Sequence, residues 1–134
     1  GVATAPPVAF IQEYITAGIK GRSWYLSEFV DGPSCLNYLP SIDDETVREQ
    51  VMEQIIDTLK LLWKHRITHG NLKGSKILLP QDQAVLLDLD AMKQHEDEEA
   101  ARRHVDKDKE RFLLNWKRDH PHPSLYELTR NKLV

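Results

Sequence analysis

The stretch 69–90 constrains this chain most, because its pattern brings two distant backbone ends together. Two short apolar runs, 77–79 and 84–87, flank a polar link, Pro80-Gln81-Asp82-Gln83. Short apolar runs bounded by turn residues predict a β-hairpin. The loop before it holds His69, Asn71, Lys73 and Lys76, and Asp88 follows the second run. A hairpin joins its ends, so Asp88 is expected beside the loop in one small site. A carboxylate next to lysines and an amide suits a phosphate and a divalent metal. A plain surface hairpin with solvated charges accounts for the same residues.

A helix over 41–66 is the strongest single element. Val47, Val51, Ile55, Leu59 and Leu62 recur at helical spacing, and Met52, Ile56 and Trp63 widen the stripe. Ser41 or Asp43 is placed to cap its start. Asp43, Asp44 and Glu45 suit the positive helix end, and Lys64, His65 and Arg66 the other end. The helix ends just ahead of His69, so it is expected to hold the loop against the core.

Upstream, residues 1–7 form a small Pro-containing lead-in. The β-branched and aromatic content of 8–15 and 23–30 predicts two antiparallel strands. A turn over 16–22, with Gly18 and Gly21, joins them, and Asp31-Gly32-Pro33 breaks the second. A short helical turn follows over 34–39. Two strands alone are marginally stable in water. Missing upstream sequence, a swapped dimer, or packing on the helical part is therefore expected to complete them.

Downstream, 94–111 is dense in charge and reads as a solvated helix face or a mobile segment. Residues 105–119 predict an amphipathic helix with Phe112, Leu113 and Trp116 on one side. His120 and His122 lack a third ligand at metal-site spacing, so 120–123 reads as a proline-bounded turn. Ser124 is placed to cap a last short helix carrying Leu125, Leu128 and Leu133.

A chain of 134 residues with 40% hydrophobic and 29% charged residues suits one globular domain with a real core. The net charge of −3 argues against nucleic acid as a partner. No apolar run is long enough for a transmembrane segment, and the start lacks the pattern of a signal peptide. The single cysteine, Cys35, excludes an internal disulfide, fits a reducing cytosol, and is expected as a small buried apolar side chain. A start at glycine rather than methionine is expected of a processed product or an excised piece.

The loop His69-Gly70-Asn71-Leu72-Lys73-Gly74-Ser75-Lys76 resembles the catalytic loop of protein-kinase-like phosphotransferases. It is most similar to that of bacterial lipopolysaccharide core (Kdo/heptose) kinases, in which His-Gly-Asp-Leu-Lys-x-x-Asn precedes a hairpin and a metal motif. Here Leu87-Asp88-Leu89-Asp90 stands at the metal motif. The likeness spans roughly 1–118 and is strongest at 67–90, with support from 105–116. It implies an α+β, protein-kinase-like fold. Residues 1–33 would be a partial small-lobe hairpin and hinge. Residues 34–134 would be a mainly helical large lobe carrying the catalytic-loop hairpin 67–90.

The resemblance also implies roles. Glu28, Phe29 and Val30 fall where a hinge meets adenine. His69 falls on the packing histidine, Lys73 on the lysine that approaches the transferred phosphate, and Asp88 on the main metal-binding aspartate. Asn71 replaces the catalytic aspartate, and an amide is no useful proton acceptor near pH 7. Lys76 replaces the metal-binding asparagine. An ammonium has no lone pair for a metal but can neutralise phosphate directly. Asp90 stands in place of the usual glycine, as an added metal ligand or an alternative base. No glycine-rich phosphate loop or strand lysine precedes residue 8. The expected function is therefore a catalytically impaired, pseudokinase-like domain that uses ATP and Mg²⁺ only if its site works. The alternative is an active ATP-dependent sugar kinase acting on the Kdo/heptose region. The implied partner is the lipopolysaccharide core or another protein. The implied location is the bacterial cytoplasm, at the inner face of the inner membrane.

Overall fold

The helical stripe at 47–63 forms the floor of the core. The structure, a computed structural model, describes residues 1–133. In chain order its elements are β1 (Ala3–Thr4), β2 (Pro7–Thr16), β3 (Ile19–Ser27), α1 (Cys35–Ser41), α2 (Glu45–Lys64), β4 (Ile67–Thr68), β5 (Ile77–Leu78), β6 (Val85–Leu86), β7 (Lys93–Gln94), α3 (Glu98–Leu114) and α4 (Pro123–Leu133). The fold class is α+β, with helices predominating over three small sheets. Among the described residues no helix is long and apolar enough to cross a membrane.

α2 buries Val51, Met52, Ile55, Ile56, Leu59, Leu62 and Trp63 in one core with Phe112, Trp116, Leu125 and Leu133. Each such side chain contributes about 1.5–3 kcal/mol when fully removed from water. Val47 leaves the stripe, 42% exposed in the first turn. The helix starts at Glu45, not at 41, and its cap is Asp44 rather than Ser41 or Asp43. The Asp44 carboxylate accepts the backbone N–H groups of Thr46 at 2.9 Å and Val47 at 3.1 Å. Ser41 is committed to α1, where its hydroxyl donates to the Tyr38 carbonyl at 2.7 Å. At the far end Arg66 turns left-handed, φ 58°, and its N–H closes onto the Trp63 carbonyl at 2.8 Å.

The hairpin expected around residues 80–83 is present, with Ile77 opposite Leu86 and Leu78 opposite Val85. Its link passes through left-handed Gln81 and Asp82, and Asp82 accepts the Tyr38 hydroxyl at 2.6 Å. Two pairings lie outside the sequence expectations. β1 adds to β6 in parallel, so the lead-in is a third strand of this sheet. β7 returns to pair with β4, which closes the chain around the loop.

β2 and β3 form the expected antiparallel pair. Gly18 at φ +87° permits a tight turn, so β3 begins at Ile19 rather than at 23, and it ends at Ser27. Phe10, Ile11, Tyr14, Trp24, Tyr25 and Leu26 are all exposed, so the helical body covers little of either face of this hairpin.

The charged stretch is a capped helix rather than a mobile segment, and α3 starts at Glu98 instead of 105. Asp97 accepts the Ala100 N–H at 2.7 Å, and Glu98 and Glu99 occupy the first turn, where the helix dipole favours acids. A π-helical turn, Asn115–Asp119, prolongs it. α4 begins at Pro123, and His122 rather than Ser124 caps it. The His122 Nδ1 accepts the Leu125 N–H at 3.4 Å and lies 3.1 Å from the Ser124 hydroxyl. Cys35 is fully buried as expected, and burial pushes its thiol far above the ordinary range.

Candidate functional site

The loop 69–76 leaves α2 through β4 and rests on Asp108 of α3. This carboxylate, only 2% exposed, accepts the backbone N–H groups of His69 at 2.7 Å and Gly70 at 3.0 Å. It also accepts the indole N–H of Trp63 at 3.3 Å. A buried charge is tolerated where donors of this kind satisfy it. Asp108 is not among the residues singled out from the sequence. Its one signal there is a charge placed between Val105 and Phe112 at the spacing of an apolar helix face.

His69 is fully buried, and its Nε2 lies 2.9 Å from the Leu87 carbonyl. A carbonyl only accepts, so Nε2 is the donor in this bond. The ring thus ties the loop to the end of β6. Gly70, at φ +77°, passes so close to the chain that a Cβ would stand 2.5 Å from the Ala91 carbonyl oxygen. Only glycine fits this passage without moving backbone.

Asp88 follows β6 in the left-handed region, φ 59° and ψ 62°. For a residue other than glycine this is a strained conformation, of the kind that collects at functional sites. Its carboxylate forms an ion pair with the Lys76 ammonium. The Leu87 N–H also donates to the Lys76 carbonyl at 2.8 Å, so loop and hairpin end meet through backbone and side chain. The Lys76 ammonium holds the Asp88 carboxyl below its ordinary 3.8; Asp90 acts in the same direction and burial opposes both. Both partners are about 30% exposed, so the pair itself adds only about 0–1 kcal/mol of stability.

The Asp88 carboxylate is engaged by an ammonium, whose positive charge opposes a divalent cation at the same oxygens. Among the described residues no group of three metal-ligating His, Cys, Asp or Glu side chains converges anywhere. Lys76 supplies positive charge directly beside the Asp88 carboxylate. Asn71 and Lys73 are half-buried on the same loop, and Lys73 makes no ion pair among the described residues.

A cleft of about 900 Å³ opens between the β2–β3 hairpin and β6. That volume is typical of small-molecule sites. Phe10 and Tyr25 form one wall, Leu86 and Leu89 contribute to the other, and Asp88 and Asp90 supply its charged groups. Glu28, Val30, Asn71, Lys73 and Lys76 are outside this lining, and Lys76 reaches it through Asp88. The Glu28 N–H is occupied by the Pro6 carbonyl at 2.8 Å. Phe10 and Tyr25 read in the sequence only as strand residues, because alternation does not say which face of a hairpin meets a cleft.

Neither protein-family models nor curated proteins yield a match to this chain. Fold and site together define an α+β chain with a cleft bounded by an exposed β-hairpin on one side. On the other side stands an ion-paired aspartate, held beside a buttressed polar loop.

Proposed function

We propose that the chain is a kinase-like binding module with impaired phosphotransfer, of the kind its motif residues at 69–90 suggest. The observation that carries this reading is the Lys76–Asp88 ion pair, which supports a site where a side-chain cation takes the place of a metal. In that reading a nucleotide such as ATP packs its ring against Phe10 and Tyr25. Its phosphates are then neutralised by Lys73 and Lys76. Asn71 offers no proton acceptor, and loss of general-base help costs about 10²- to 10⁴-fold in rate. The chain would therefore hold its ligand, and engage lipopolysaccharide core or a partner protein at the cytoplasmic face of a bacterial inner membrane, without efficient turnover.

Calorimetric titration of ATP into the chain tests this directly. Saturable binding of similar strength with and without Mg²⁺ is expected. Lys76→Asn, which frees Asp88, is expected to make binding Mg²⁺-dependent. A complete lack of ATP binding, or strict Mg²⁺ dependence of the unmodified chain, overturns the reading. Asp90, at the charged end of the cleft, favours a second reading as an active Kdo/heptose kinase, with Asp90 as the proton acceptor. Transfer from ATP to a core sugar, abolished by Asp90→Asn, would establish that alternative.

A further inference from the structure

β3 has a strand partner on one edge only, and among the described residues nothing pairs with the other. An open edge presents a row of unpaired backbone groups, and a lone two-stranded hairpin gains most from added strands. Residues 22–28 are self-complementary when paired antiparallel about Tyr25. Arg22 then faces Glu28, Ser23 faces Ser27, Trp24 faces Leu26, and Tyr25 faces its own copy. Ser23, Tyr25 and Ser27 line the cleft, so alternation places Arg22, Trp24, Leu26 and Glu28 on the opposite face. A two-fold axis at Tyr25 therefore makes two Arg–Glu pairs and two Trp–Leu pairs on that face.

The charges are available for this role, since neither Arg22 nor Glu28 makes an ion pair among the described residues. The apolar pair is available as well, with Trp24 45% and Leu26 50% exposed. The β2–β3 ladder runs in register from Ser23 to Leu26, so β3 is regular at the centre of the stretch, and register shifts fall only to either side of it. We propose that the chain forms a two-fold dimer in which β3 pairs antiparallel with β3 of a second copy, giving one continuous four-stranded sheet centred on Tyr25. The dimer stands independently of what the cleft binds.

Sedimentation of the full chain over a concentration series tests the proposal, with a reversible monomer–dimer equilibrium expected. Arg22→Glu or Glu28→Arg each converts two attractive cross-strand pairs into two repulsive ones and is expected to raise the dimer Kd about tenfold. The double variant R22E/E28R restores opposite charges and is expected to return Kd to the starting value. Tyr25→Cys places two thiols on the axis, where facing Cα atoms of an antiparallel pair stand about 4.5–5.5 Å apart, within disulfide reach. An interchain disulfide is expected on mild oxidation, and Cys35 is fully buried and cannot substitute for it. A chain that stays monomeric at every concentration overturns the proposal. So does a dimer that ignores both charge reversals and gives no Tyr25→Cys cross-link.

Discussion

Replacing Asp108 with asparagine isolates the contact that holds the loop. The change keeps the shape of the side chain and removes its charge. Asp108 Oδ1 accepts the Gly70 N–H at 3.0 Å, and Oδ2 accepts the His69 N–H at 2.7 Å and the Trp63 indole at 3.3 Å. An asparagine can keep one of these oxygens, and its amide nitrogen must then face at least one N–H donor. One buried donor left without an acceptor costs about 1–3 kcal/mol, and the bonds that remain lose their charge assistance. The sum for Asp108→Asn is about 2–3 kcal/mol of folding stability, and for Asp108→Ala, which leaves all three donors bare, about 4–5 kcal/mol. Urea unfolding followed by helical circular dichroism reads this. With a slope of about 2 kcal/mol per molar urea, Asp108→Asn should move the midpoint down by about 1–1.5 M. Amide exchange at His69 and Gly70 should accelerate with it, whereas Asp106→Asn on the exposed side of α3 should change neither. An Asp108→Asn midpoint within about 0.25 M of the starting value, roughly 0.5 kcal/mol, would refute the buttress.

Gly70→Ala forces a Cβ to within 2.5 Å of the Ala91 carbonyl oxygen at φ +77°; a loss of about 2–4 kcal/mol is expected in thermal or urea unfolding. Phe112→Ala removes a fully buried ring from the core shared by α2 and α3 and should cost about 3–5 kcal/mol in the same assay. His95 is buried against Thr68, with its ring centroid 4.4 Å from that of His104. Burial, and then the charges of His104 and Lys93, hold its pKa below the ordinary 6.5. The folded state thus binds fewer protons than the unfolded one between the depressed pKa and 6.5. Stability is full above 6.5, falls as pH drops through this window, and the fall should flatten in His95→Gln; an unchanged slope would refute this. Lys76→Ala should raise the Asp88 carboxyl toward its ordinary 3.8 in an NMR titration, because the leading cause of its depression is gone.

Features that depend on near neighbours are legible in the residues alone. Helical spacing marked the buried face of α2, and two apolar runs with a polar link marked the β5–β6 hairpin, because periodicity and turn chemistry are local. The same local pattern also placed Lys76 and Asp88 at the two ends of that hairpin, so their meeting followed from hairpin closure. Boundaries that hang on a cap were less readable: Asp43 and Asp44 are equally good caps as residue types, and only the backbone geometry selects Asp44. Pairings between distant parts of the chain emerge only in the folded molecule. Asp108 meets His69 across 39 residues, and β1 joins β6 across some eighty. Nothing in the local pattern encodes such contacts, since they join segments that meet only in the assembled fold, where α3 sets a buried carboxylate beneath the loop and β6 offers an edge to β1. The open faces of the β2–β3 hairpin belong to the same class. A strand's composition states that it can be covered, and only the assembled fold shows that its own helices leave it bare.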